Sequence, residues 1–196
     1  MTDQADASLC VGSVSHRREA LPSERTSPAD AMSFQMLDRI IQLEPGRRLV
    51  ARKRFRRTEP FFVDHFPGLP VVPGVLLTEV MVQAGGWLIV GTFNFAQWPL
   101  LCMLEGVKFR ALVGPEEELE AACTVVDLGK QDHEIKGCLT VQGRRVAEAR
   151  IFYHSFSPLN GPTSSFDATS FLDWSRSTFD ALGGEEALRH GRDGAR

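Results

Sequence analysis

The stretch Phe61-Phe62-Val63-Asp64-His65-Phe66-Pro67-Gly68-Leu69-Pro70-Val71-Val72-Pro73-Gly74-Val75-Leu76, with the apolar run that follows it to Thr92, decides the fold. The prolines in residues 58–73 predict a loop running across the surface. From Gly74 to about Thr92 the chain reads as a helix that is apolar almost all round, a pattern that calls for burial on more than one side. Between Val75 and Val90 its polar side chains are Thr78, Glu79 and Gln83. Glu79 and Gln83 are four residues apart and stack on one helix face. An ionised carboxylate in this apolar helix, which carries no Lys or Arg, is costly, so burial favours the protonated form that a general acid needs. A structural glutamate bonded to backbone across a subunit interface fits the same pattern, and the helix alone leaves both readings open.

Working outward, residues 36–44 read as a strand, Pro45-Gly46 as a turn and residues 47–57 as the returning strand. There Leu49, Ala51 and Phe55 alternate with Arg52, Arg54 and Arg56, the period of a half-buried sheet. After the helix come strand-like runs at 100–110, 118–128, 133–141 and 145–154, the last two flanking a Gln142-Gly143-Arg144 turn. The order predicts an α+β fold in which one antiparallel sheet wraps around one long buried helix. Residues 1–31, rich in Ser, Ala and charged residues, are expected to form a mobile tail, and residues 32–156 the folded domain. Residues 157–196 read as a C-terminal extension, partly disordered. Within it Phe171, Leu172, Trp174, Phe179 and Leu182 suggest a helix that docks on the domain and ends at Gly183-Gly184.

With 196 residues and 43% apolar side chains the chain has enough material for a proper core. A net charge of −3 gives no general reason to expect nucleic acid or a membrane. Cys10, Cys102, Cys123 and Cys138 are scattered, and the last three sit in apolar strand patterns as small hydrophobes. The acidic N-terminus lacks the order of a signal peptide, and the run 71–95 is too interrupted to read as a bilayer span. The expectation is a soluble protein of a reducing cytoplasm.

The quoted stretch resembles the active-site signature of the FabZ family of 3-hydroxyacyl-[acyl-carrier-protein] dehydratases. That family has a His-Phe-Pro-Gly-x-Pro-x-x-Pro-Gly-Val-Leu run, an acidic residue fourteen positions after the His and a Gln four beyond it. His65, Glu79 and Gln83 stand at those offsets, and weaker likeness extends over residues 33–156. The resemblance implies a hot-dog fold and a homodimer, possibly assembled further, whose active sites pair His65 of one chain with Glu79 of the other. His65 would take the C2 proton and Glu79 would protonate the departing C3 hydroxyl, with no metal or organic cofactor. The Gly74 N–H, at the positive end of the helix, would receive charge building on the thioester oxygen. Phe66, Pro73, Val75 and Gln83 would line the substrate site. Glutamate at position 79 resembles the plain dehydratase branch. The chain departs from the family at Asp64, where Gly is usual, at Val80-Met81-Val82-Gln83 for Ala-Met-Ala-Gln, and at Pro115-Glu116-Glu117 for Pro-Gly-Asp.

The implied partner, an acyl carrier protein, is strongly acidic, so a basic rim should steer it in. Lys108 and Arg110 are one candidate surface and the strand bearing Arg54 and Arg56 is another, against the plain alternative of a solvated face. His133 and His154 read as structural. A hot-dog thioesterase and a non-catalytic acyl-binding subunit are the competing functions.

Overall fold

The computed structural model describes residues 34–160 and 166–193, and the expected N-terminal tail lies outside them. Six strands form one sheet: β1 (Arg39–Glu44), β2 (Arg48–Arg54), β3 (Trp98–Phe109), β4 (Glu118–Leu128), β5 (Asp132–Val141) and β6 (Arg144–Phe156). Their spatial order is β1-β2-β4-β5-β6-β3, with every neighbouring pair antiparallel. Among the described residues the α-helices are α1 (Phe61–Asp64), α2 (Gly74–Thr92), α3 (Ala168–Ala181) and α4 (Gly184–Asp193), with a 3-10 turn at Pro158–Asn160.

Period-two patterning places α2. On β5, His133, Ile135, Leu139 and Val141 point inward, and on β6 so do Val146, Ile151, Tyr153 and Ser155. Leu77, Val80, Met81, Ala84 and Leu88 of α2 meet that inner face in a single core with Leu43, Leu49, Leu119 and Cys123. Each large aliphatic side chain buried in this way contributes about 1.5–3 kcal/mol. Burial, helped by Cys138, pushes the Cys123 thiol up to about 12, so it acts as a small apolar group. By length and composition α2 could cross a membrane, but here it is the helix the sheet wraps.

Three local features differ from the sequence reading. β1 begins at Arg39: ahead of it the Met36 N–H bonds to the Gln83 side chain, and Asp38, its N–H on Arg52 O, accepts from the Arg54 N–H through Oδ2. The supposed loop contains the short helix α1, started by Pro60 at a helical φ of −56 and packed through Phe61 on Phe55, ring centroids 5.8 Å apart. The C-terminal extension holds two helices. Asp167 caps α3 by accepting from the Thr169 and Ser170 N–H groups, and the Ser170 bonds hold its carboxyl below its usual range. The chain then turns at Gly183, and Gly184 opens α4.

The extension closes one edge of the sheet. The Ile40 N–H of β1 donates to Leu182 O at 2.7 Å, and Arg39 pairs with Glu186 at 2.9 Å. Phe179 is fully buried between Trp87 and Phe95. The opposite edge, β3, pairs with β6 and meets no further strand among the described residues. Leu100, Leu101, Met103, Val107 and Phe109 stand exposed along it.

Candidate active site

The last turn of α1 delivers His65, whose N–H bonds to Phe61 O at 2.9 Å. A tight loop follows. Phe66 and Leu69 exchange backbone bonds, the Val71 N–H returns to His65 O, and Val72 is tied to Val113 on the far side of the site. Within the loop the imidazole lies stacked on Phe66, centroids 4.2 Å apart, and the His65–Phe66 peptide is cis. His65 Nδ1 sits 3.2 Å from Val71 O. A carbonyl only accepts, so this contact is made by Nδ1–H, and in the neutral ring that leaves the lone pair of a base on Nε2.

Pro73 leads into α2. The N–H groups of Leu76 and Leu77 both bond to Pro73 O, which leaves those of Gly74 and Val75 as the first-turn donors without a helical acceptor. Val75 is 74% exposed and Phe66 54% exposed, so this corner opens to solvent. A Cβ on Gly74 would come within 2.9–3.2 Å of the Phe109 ring, so glycine is what lets β3 lay that ring across the helix start. Sequence reasoning missed Phe109, because 35 residues separate it from Gly74 and no local spacing links them.

Glu79 lies on the partly open face of α2. Gln83 Nε2 donates to Glu79 Oε1 at 2.9 Å, while Gln83 Oε1 accepts from the Met36 N–H at 2.8 Å. The Met36 donor fixes which end of the amide faces the acid. With Oε1 engaged as an acceptor, Glu79 Oε2 is the oxygen free to carry a proton. One turn on, the Tyr153 hydroxyl donates to Val82 O at 2.7 Å and clamps the helix to β6. A Cβ on Gly85 would collide with that hydroxyl. Burial, then the charges of Cys123 and Glu79, push the Tyr153 phenol well up, so it stays a donor and cannot serve as a base.

Glu79 and Gln83 are therefore brought together, while no hydrogen bond joins His65 to Glu79 within one chain. Asp64 is exposed at the end of α1. Of the two departures on the helix, Val80 enters the core and Val82 stays half-buried. At the third departure, Glu116 adopts φ +66, held by its N–H on Phe55 O and its carboxylate on the Arg57 N–H.

The two basic candidates differ. Arg110 at 2.5 Å, Arg145 at 2.9 Å and Lys108 at 4.0 Å all converge on Glu148. The Arg110 bond, seconded by Arg145, holds that carboxyl below its usual range, and the cluster keeps a net positive charge. Arg54 pairs with Glu118, and Arg56 shares a cleft with Asp38, Glu59 and Glu116, where the charges largely offset one another. His133 and His154 have partners the sequence did not suggest: Gln97 and Ser155 for the first, Asp132 for the second.

Residues 28–151 match the FabA-like domain family. The chain is similar to the 3-hydroxyacyl-[acyl-carrier-protein] dehydratase FabZ of Anaeromyxobacter sp. (strain Fw109-5), 41% identical over 121 residues that cover 59% of this chain and 77% of that one. Its likeness to the Myxococcus xanthus protein of the same name is 38% over 121 residues, 60% of this chain and 79% of that one. Two solved structures share the fold. One is smu.793 from Streptococcus mutans UA159 bound to acetyl CoA (13% identity, TM-score 0.51, 71% of this chain and 98% of that one). The other is the conserved protein PA5202 from Pseudomonas aeruginosa (14% identity, TM-score 0.51, 60% and 87%). A family match over residues 28–151, relatives 38–41% identical, and an antiparallel sheet wrapped on one helix all agree: this chain is a hot-dog protein and belongs to the FabA-like family, among the FabZ dehydratases.

Proposed function

We propose that this protein removes water from (3R)-3-hydroxyacyl thioesters held on an acyl carrier protein, giving trans-2-enoyl thioesters for fatty-acid or related polyketide or polyene synthesis in the cytoplasm. The observation that carries this reading is the preset polarity of the two groups: His65 with Nε2 open as a base, Glu79 with Oε2 open as an acid. His65 Nε2 takes the C2 proton. The C–H electron pair becomes the C2=C3 bond as the C3–O bond breaks, and Glu79 Oε2 protonates the leaving oxygen, which departs as water. Charge building on the thioester oxygen is met by the Gly74 and Val75 N–H groups at the start of α2. Phe66, Pro73 and Gln83 border the same space. The step ends with imidazolium and carboxylate, and proton exchange with solvent resets the pair.

Each working site combines His65 of one subunit with Glu79 of its partner in a homodimer. The exposed apolar edge of β3 and the half-buried face of Glu79 support this, since among the described residues no further strand pairs with that edge and Glu79 stays partly open. A His65→Ala chain and a Glu79→Gln chain are each expected to be inactive in enoyl formation from a carrier-linked substrate. Co-refolded together they regain part of the activity, because some heterodimers hold one intact site. Verified heterodimers without recovery would overturn the shared site.

The carrier docks on the Lys108, Arg110 and Arg145 cluster, which keeps a positive excess beside the Phe109–Gly74 corner. Reversing Lys108 and Arg110 to Glu is expected to raise KM for the carrier-linked substrate about tenfold, and to leave kcat and turnover of a short acyl-pantetheine unchanged. If KM stays constant, docking moves to the Arg54 and Arg56 strand.

A further inference from the structure

The open face of α2 has a definite end. Val75, Thr78, Glu79, Val82, Gln83 and Gly86, spaced three or four apart, are all partly or fully exposed, whereas the next positions on that face, Ile89 and Val90, are completely buried. Where the stripe stops, Pro99 of β3 lies 3.6 Å from where a Cβ of Gly86 would be. Behind Pro99 stands Trp98, edge-on to Trp87 (5.6 Å, 88°), edge-on to Phe171 (4.7 Å, 81°) and against Trp174 (5.7 Å). Phe171 is braced in turn by Phe166 and Phe156. Phe166, Phe171 and Trp174 all belong to the C-terminal extension, beyond residue 151 where the family match ends. Trp174 is half exposed on α3.

We infer that Trp98, Phe171 and Trp174 form the end wall of the acyl-chain path and limit the substrate to medium-length chains. The inference rests on the dehydratase reading, which sets the direction of the substrate. With the C3 hydroxyl at Glu79 and the carrier-linked end leaving by the exposed Val75 end of the stripe, carbon 4 and beyond run along it toward Gly86. Seven helical residues separate Glu79 from Gly86, a rise of about 10 Å. An extended chain advances ~1.2 Å per bond, so about eight carbons fit after C3. The wall therefore stops chains of about ten to twelve carbons in total. Aromatic rings suit this role because they present a flat apolar surface to a terminal methyl and hold one another in place by edge-to-face packing.

The test is a chain-length series of 3-hydroxyacyl carrier substrates from six to sixteen carbons, read as kcat/KM for the full-length protein. Wild type is expected to fall steeply beyond about twelve carbons. Trp98→Ala is expected to raise the ratio of sixteen- to eight-carbon kcat/KM at least tenfold while eight-carbon turnover persists. Trp174→Ala, at a half-exposed position that tolerates truncation, should move the ratio the same way by a smaller factor. Folded variants with an unchanged ratio, or a wild type that accepts sixteen carbons undiminished, would overturn the wall. Affinities of saturated acyl-pantetheines, measured by calorimetry, separate this failure from that of the dehydratase reading. A wild type with no turnover at any length removes the reaction. A binding optimum that ignores Trp98→Ala removes the wall, with or without turnover.

Discussion

The two halves of α2 differ in polarity and in what covers them. From Gly74 to Gly86 the helix keeps one face open, with Val75 at 74% exposure and Glu79 and Gln83 half-buried. From Trp87 to Val90 every residue is buried in the core, with Phe179 of the extension packed on Trp87. The open half holds polar side chains, each with a specific partner: Gln83 on Glu79 and on the Met36 N–H, Thr78 on Gly74 O. The sealed half has none until Thr92, whose hydroxyl returns to Leu88 O. A carboxylate two turns further along would sit in the sealed half with neither substrate nor solvent beside it. On the proposed function, the division of α2 thus separates a part that performs chemistry from a part that holds the fold, and substitutions should respect it.

The largest expected effect falls in the open half. Glu79→Gln keeps the volume and can still accept from Gln83, but has no proton to deliver. Its kcat is expected to drop by roughly 10²–10⁴ with substrate affinity kept, while thermal stability stays at or above that of wild type. Phe179→Ala in the sealed half should behave in the opposite way. Removing a fully buried ring costs about 3–5 kcal/mol of stability, read as a lower denaturation midpoint, with eight-carbon kcat unchanged in the folded fraction. A Phe179→Ala protein that stays stable yet loses kcat as Glu79→Gln does would show that the halves are not separable.

The open half was the legible half. The offsets of His65, Glu79 and Gln83 lie within nineteen consecutive residues, and the limits of α2 follow from Pro73-Gly74 and from the end of the apolar run. Strand β4 also begins and ends where alternation places it, since its pairing with β2 and β5 on both sides enforces the register. What could not be read depends on contacts between distant residues. The Phe109 ring on Gly74, the Tyr153 hydroxyl over Gly85 and the Trp98–Phe171–Trp174 stack join segments with no shared periodicity. Helix α1 was hidden for a different reason. Its four residues are too few to show a helical period, and the prolines around it read as loop. Helix α4 begins at a glycine that ordinarily ends helices, and it does so here because a Cβ at Gly184 would collide with Phe179.

The smallest expected effect tests the far end of the sealed half, where Phe93 packs on His133 with centroids 5.4 Å apart. His133 is 2% exposed, with Nε2 at 3.0 Å from both Gln97 Oε1 and Ser155 Oγ, and a buried Nδ1 that meets no partner among the described residues. Burial lowers its pKa below the ordinary 6.5, against the opposing pull of Asp132 and Asp127 and with a small push from His154. The folded protein therefore binds fewer protons at this site than the unfolded chain does. Stability from the neutral imidazole is fully present above pH 6.5 and declines as pH falls through the interval below it, toward the folded value. One proton limits the slope to ~1.4 kcal/mol per pH unit. His133→Gln keeps an amide donor for Gln97 but does not titrate. Its denaturation midpoint is expected to change less than that of wild type between pH 7.5 and pH 5.5, with kcat for the eight-carbon substrate equal in both at pH 7.5. Parallel stability profiles for the two proteins would mean that His133 takes up its proton without disturbing the packing around Phe93, and the sealed end would then tolerate a buried charge that the physical argument says it should not.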